Sequence, residues 1–165
     1  IRPATINDCS AISRLCLLTA SNGSSAAARM QHRELPGLTL LLPYLYLPSG
    51  FSYVLVETTR SKTLTISKIV GCVAGTSNPP QFARELASSW WPAQRERFPR
   101  NLAGTPLDRF FVDLIHKTSD PAFPPSSPAP LRVHVLPAYR DHGCDRLLLD
   151  VALRYLRRHG KNARG

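Results

Sequence analysis

Between Val133 and Arg146 the chain reads VHVLPAYRDHGCDR and gathers groups able to hold an anion. Arg140, His142 and Arg146 supply cationic or protonatable side chains, Gly143 supplies backbone freedom, and Asp141, Cys144 and Asp145 lie between them on the approach to a helix. A tight polar turn that opens into a helix directs unpaired main-chain N–H groups to one place, at the positive end of the helix dipole. The chemistry implied is capture of a phosphate or diphosphate. His134, just upstream, has an ordinary pKa of about 6.5, which suits proton removal at neutral pH. Cys144 stands at the helix start beside Arg140 and His142, where a thiol pKa can fall, but it also lies on an apolar stripe, so packing is its simpler role.

The elements that must position these residues follow from spacing. Leu131, Val133 and Val135 alternate with Arg132 and His134, the period of a half-buried strand, and Pro137 ends it for want of an N–H. Cys144, Leu147, Leu148, Val151, Ala152 and Tyr155 then recur at helical spacing, with Arg146, Asp150, Arg154 and Arg157 between them. At the other end of the chain, Asn7 or Asp8 can cap a helix reaching about Ala20, striped by Ile12, Leu15, Cys16 and Thr19. Residues 21–25 read as a loop and residues 26–32 as a short helix. Residues 34–48 read as an irregular apolar segment broken by Pro36, Gly37, Pro43 and Pro48. Residues 51–58 and 66–76 predict a hairpin around the polar span 59–63, with Gly71 and Gly75 marking a bulge or a close approach. Residues 79–97 and 106–117 carry helical spacing, separated by Pro99 and Gly104. Residues 119–130, with five prolines, predict an extended connector.

A chain of 165 residues with 43% hydrophobic and 19% charged residues predicts one globular domain, residues 1–165. The longest apolar run, residues 38–47, is interrupted by Pro43 and too short to span a bilayer, and the first residues lack the pattern of a secretory signal, so no membrane partner is expected. Cys9, Cys16, Cys72 and Cys144 show no paired spacing, which suits a reducing, cytoplasmic or nucleocytoplasmic setting. No metal motif links His32, His116, His134, His142 and His159, so no metal is expected. The net charge of +10 attracts anions of any kind. Arg154, Arg157, Arg158, Lys161 and Arg164 read as a solvated helix end, and no nucleic-acid motif accompanies them, so a nucleic-acid partner is not expected. Trp90 and Trp91 read as packing residues.

The order of strand, Pro137, Tyr139, Arg140, Gly143 and Leu-rich helix resembles the acetyl-coenzyme A loop of the GNAT superfamily of N-acetyltransferases. IRPAT at the chain start and IVGCVAGT at residues 69–76 are similar to the first strand and central hairpin of that superfamily. ELPGL (34–38), PYL (43–45), WWPAQRERFP (90–99) and DLIH (113–116) resemble, more narrowly, the acetyltransferase-like domain related to the C-terminal domain of O-GlcNAc hydrolases. The resemblance spans nearly the whole chain.

It implies an α/β fold with a mixed, mostly antiparallel central sheet flanked by helices. The superfamily's strands beyond the phosphate helix have no counterpart before Gly165, so the domain is expected to be C-terminally incomplete, with an exposed sheet edge open to oligomer formation. The implied activity is transfer of an acetyl group from acetyl-CoA to the amine of a small molecule or protein, by direct attack on the thioester. The implied cofactor contacts are Val133, His134 and Val135 on the strand and Arg140 to Arg146 at the turn. His134 is the candidate general base, although the close family more often carries Asp there; His116, in DLIH, is a weaker candidate that can simply terminate its helix. Asp145 occupies a position where the family has Gly or Ala. At about 5 Å and an effective dielectric near 20, its carboxylate would repel a phosphate by roughly 3 kcal/mol, about a hundredfold in affinity, and Arg140, His142 and Arg146 would oppose that. The second reading is therefore a catalytically silent acetyltransferase-like interaction module.

Overall fold

A computed structural model of the chain describes residues 1–61, 63–117 and 131–159. The connector expected at 119–130 and the basic residues Lys161 and Arg164 lie outside them.

Four strands form one antiparallel sheet in chain order: β1 (Arg2–Pro3), β2 (Gly50–Arg60), β3 (Thr65–Thr76) and β4 (Leu131–Val135). The predicted hairpin is β2 and β3, paired from Gly50↔Thr76 to Arg60↔Thr65. The register slips between Leu55 and Val56, so Val70 is the extra residue. Gly71 beside it allows close approach: a Cβ there would lie 2.9 Å from Leu148 Cδ1.

Alternation along the strands divides the core. Phe51, Val73 and Val135 pack with Leu148 and Ala152 of a helix we label α7 (Cys144–His159). Val54, Cys72 and Ala74 point to the other face, against α1 (Cys9–Leu17) and the helices that follow it. This is a helix–sheet–helix sandwich.

The first helix is shorter than predicted. A 3-10 turn, Ile6–Asp8, precedes α1, which stops at Leu17. Asp8 anchors this start by accepting from Thr5 N at 2.8 Å and from both terminal nitrogens of Arg2 at 2.7 and 2.8 Å. The expected short helix at 26–32 is a 3-10 turn, Ala27–Arg29. Residues 34–48 are not irregular: they form α2 (Leu35–Leu40) and α3 (Leu42–Tyr46). Pro36 and Pro43 sit in the first turn of each, where the missing N–H costs nothing, so they start helices rather than break them.

The stretch between β3 and β4 folds as α4 (Pro79–Glu85), a wide π turn (Leu86–Trp90), α5 (Trp91–Arg97) and α6 (Pro106–His116). The π turn precedes Pro92, which has no N–H for regular helical bonding. Trp90 donates to Leu38 O at 3.0 Å and Trp91 packs on the main core, so both tryptophans are packing residues. Asp108 ties α6 to the segment before α2: buried at 1% exposure, it accepts from Gln31 N, His32 N and Thr105 N. No helix among the described residues is long and apolar enough to cross a membrane.

Candidate functional site

The predicted turn and helix lie where expected. β4 ends at Val135, a 3-10 turn covers Pro137–His142, Gly143 adopts the left-handed conformation with φ +69°, and α7 begins at Cys144. The left-handed glycine reverses the chain so that the helix starts beside the end of the strand. A Cβ at Gly143 would meet nothing within 4 Å, so conformation rather than space favours glycine there.

The turn bonds part of its own main chain, with Tyr139 N donating to Leu136 O at 2.9 Å. The N–H groups of Cys144, Asp145 and Arg146 precede the first intrahelical bond, Leu147 N to Gly143 O at 3.2 Å, and have no partner among the described residues. The unpaired donors therefore come from the first turn of α7 more than from the loop before it.

One edge of β4 pairs with β3; the other has no strand beside it among the described residues. Leu136 N donates to Val70 O at 2.9 Å, and counting back by the two-residue period gives His134 the same side. Val133 and Val135 thus carry the main-chain groups of the open edge, and His134 contributes its side chain instead. Arg140 closes part of that edge: its Nε donates to Val135 O at 3.2 Å and its Nη2 to Gly23 O. Its guanidinium binds the protein's own carbonyls. Asp141, His142, Asp145 and Arg146 are exposed, while Cys144 is half-buried against the sheet–α7 core, the packing role.

A cleft of about 430 Å³ runs along this edge, lined by Thr19, Gly23, Val133, His134, Val135, Arg140, Asp145 and Leu149. Thr19, Gly23 and Leu149 were not expected there. Asn22 and Gly23 both have positive φ, at 47° and 83°, and Ser21 and Ser24 exchange main-chain hydrogen bonds at 3.0 and 2.8 Å, the tight reversal for which Asn-Gly is suited. That dipeptide was a legible turn signal. Its docking on Arg140 had no local signature.

His134 is half-buried, and its Nδ1 lies 2.6 Å from Thr19 Oγ1. Burial, with the positive charges of Arg132 and Arg140, lowers its pKa to about 4, so the ring is neutral at physiological pH. Arg132 Nε is buried without a partner among the described residues. His116, the weaker candidate, bonds Phe98 O through Nε2 at 2.7 Å at the end of α6. Glu57 accepts from Tyr139 Oη at 2.7 Å. Neither His116 nor Glu57 lines the cleft beside β4.

A larger cleft of about 620 Å³ lies between α1 and the hairpin, lined in part by Arg2, Asp8, Arg14, Lys68 and Leu136. It holds neither the helix start nor a histidine, and its one carboxylate is bound to Arg2. The smaller cleft, not the larger, is lined by His134 and by Asp145 of the α7 start. Among the described residues no three His, Cys, Asp or Glu side chains stand together as a metal site.

No protein-family model matches the sequence, and no curated protein matches it. A solved structure does. The crystal structure of SsHAT superposes with a TM-score of 0.78 at 27% identity, covering 96% of this chain and 77% of that one. The fold is acetyltransferase-like. The four-stranded antiparallel sheet flanked by helices is that of a GNAT-like acetyltransferase, and the similarity points to an acetyltransferase-type function.

Proposed function

We propose that the chain is an acetyl-CoA-dependent N-acetyltransferase of GNAT type, with the cleft beside β4 as its donor site. The observation that carries this reading is the set of unpaired N–H groups of Cys144, Asp145 and Arg146 at the start of α7, beside an open strand edge in an acetyltransferase-like fold. These residues fit the coenzyme: helix-start donors suit its diphosphate, and the groups of Val133 and Val135 suit an extended amide-bearing arm.

When bound, acetyl-CoA supplies an acetyl group activated as a thioester. The chain's own task is to align the acceptor amine, polarise the acetyl oxygen with an N–H of the β4 edge, and take up the proton lost from nitrogen as the N–C bond forms and the thiolate leaves. His134 takes that proton. A pKa of about 4 makes it a weak base toward a free ammonium, but it suffices for a neutral amine whose nitrogen turns strongly acidic during attack.

One observation favours a second reading, a silent interaction module. The Asp145 carboxylate lines the cleft, and Arg140, which would oppose its charge, is engaged with Gly23 and Val135. Calorimetric titration with acetyl-CoA separates the two. Acetyl-CoA binding by this chain, tightened at least about tenfold by Asp145→Gly, supports the donor site. Absence of binding by both forms defeats it.

A further inference from the structure

Thr19, just beyond the end of α1, has one hydroxyl proton and three neighbours that could receive it: Leu15 O at 2.9 Å, Cys16 O at 3.2 Å and His134 Nδ1 at 2.6 Å. The carbonyls settle the competition. Cys16 O already receives a main-chain bond from Thr19 N at 3.1 Å, while Leu18 N donates to Arg14 O at 3.0 Å. Leu15 O receives none among the described residues, because Thr19 N, its ordinary helical donor, is used on Cys16 O. Leu15 is 2% exposed, and a buried carbonyl left without a donor is costly. The Thr19 proton is therefore committed to Leu15 O, and the hydroxyl oxygen must accept from the ring.

We propose that Thr19 is a positioning residue that holds the His134 imidazole with its proton on Nδ1 and its lone pair on Nε2. Nε2 has no partner among the described residues, and His134 and Thr19 line the same cleft. A hydroxyl fixed by the helix end thus selects which ring nitrogen is basic, the task a carboxylate or carbonyl performs for other catalytic histidines. The catalytic meaning of this arrangement rests on the acetyltransferase reading; the tautomer does not.

The charged and titratable groups around the ring are Arg132 on the same strand, Arg140 from the turn, Asp145 from α7 across the cleft, and the Cys72 and Cys16 thiols of β3 and α1. Burial pushes both thiols up to about 12, so they stay neutral. The two arginines resist a second ring proton and so keep the single-proton state in which the choice of nitrogen matters.

The test is long-range proton–nitrogen correlation NMR on the full chain with labelled histidine at neutral pH, the His134 signals being assigned by their loss in His134→Gln. The expected pattern is a protonated Nδ1 and an unprotonated Nε2, kept in Thr19→Ser and shifted at least about tenfold toward the other tautomer in Thr19→Val. A wild-type ring protonated on Nε2, or a folded Thr19→Val with an unchanged pattern, overturns the proposal without needing any activity. If acetyl transfer is measurable, Thr19→Val should lower kcat at least about tenfold, with serine restoring it and the KM for acetyl-CoA unchanged. A protonated Nδ1 in a chain that never turns over acetyl-CoA would uphold the positioning and refute the acetyltransferase reading alone.

Discussion

His134 stays neutral at physiological pH because its ring is half-buried and faces positive charge from Arg132 and Arg140. Its NMR titration should have a midpoint near 4; a midpoint of about 6 or above would mean a solvated ring without the field of those arginines. Burial is the main influence on the Cys16 and Cys72 thiols. With pKa values pushed up to about 12, they should resist a thiol reagent in the native protein and react only after denaturation. Reaction of Cys72 at native rates comparable to a free thiol would contradict its place beneath the sheet.

At the scale of elements, Asp108 does two jobs. It closes a capping box at the start of α6 with Thr105 and holds Gln31 and His32 by their N–H groups, at 3.1 Å each. Burial works to raise its carboxyl pKa, but the bonds from Thr105, Gln31 and His32 outweigh it, and the net shift is downward. Asp108→Ala would leave these donors unpaired and should lower stability by about 3 kcal/mol, seen in the urea midpoint. Glu34→Ala, which removes an exposed pair with Arg97 at 3.3 Å, should change it by no more than about 1 kcal/mol. Equal effects would mean that the buried carboxylate contributes no more than a surface ion pair.

For the whole molecule, the shifted groups combine into one pH dependence. The folded pKa of His134 lies below its unfolded value of about 6.5, so the unfolded chain binds the extra proton first. Stability is full above about pH 6.5 and falls until the native ring protonates near 4, a loss of up to about 3 kcal/mol. Asp8, held down chiefly by its hydrogen bonds with Arg2, and Asp108 are also depressed, as is Glu85, where bonds from Ser49 and Gln81 outweigh burial. Their contributions are present above the ordinary carboxylate range and are lost progressively as pH falls from it toward their lower folded values, so acid destabilises in two successive windows. Urea denaturation from pH 7.5 to 3 should show both, and a flat profile between 6.5 and 4.5 would remove His134 from the account.

The local elements around the site were legible because their signals are local. Alternation gave β4, the missing N–H of Pro137 gave its end, and three- and four-residue spacing after Gly143 gave α7. The hairpin and α6 were readable for the same reason. Residues 34–48 were misread because proline marks both the break and the first turn of a helix, and only packing of Leu35, Leu41 and Leu42 into the core shows which. What the tertiary structure alone decided are the long-range pairings: Thr19 with His134 across 115 positions and Arg140 with Gly23 across 117. No spacing rule encodes such contacts. They arise where a helix end and a turn meet the far strand of a shared sheet, and they determine which ring nitrogen is basic and which cation remains for an anion.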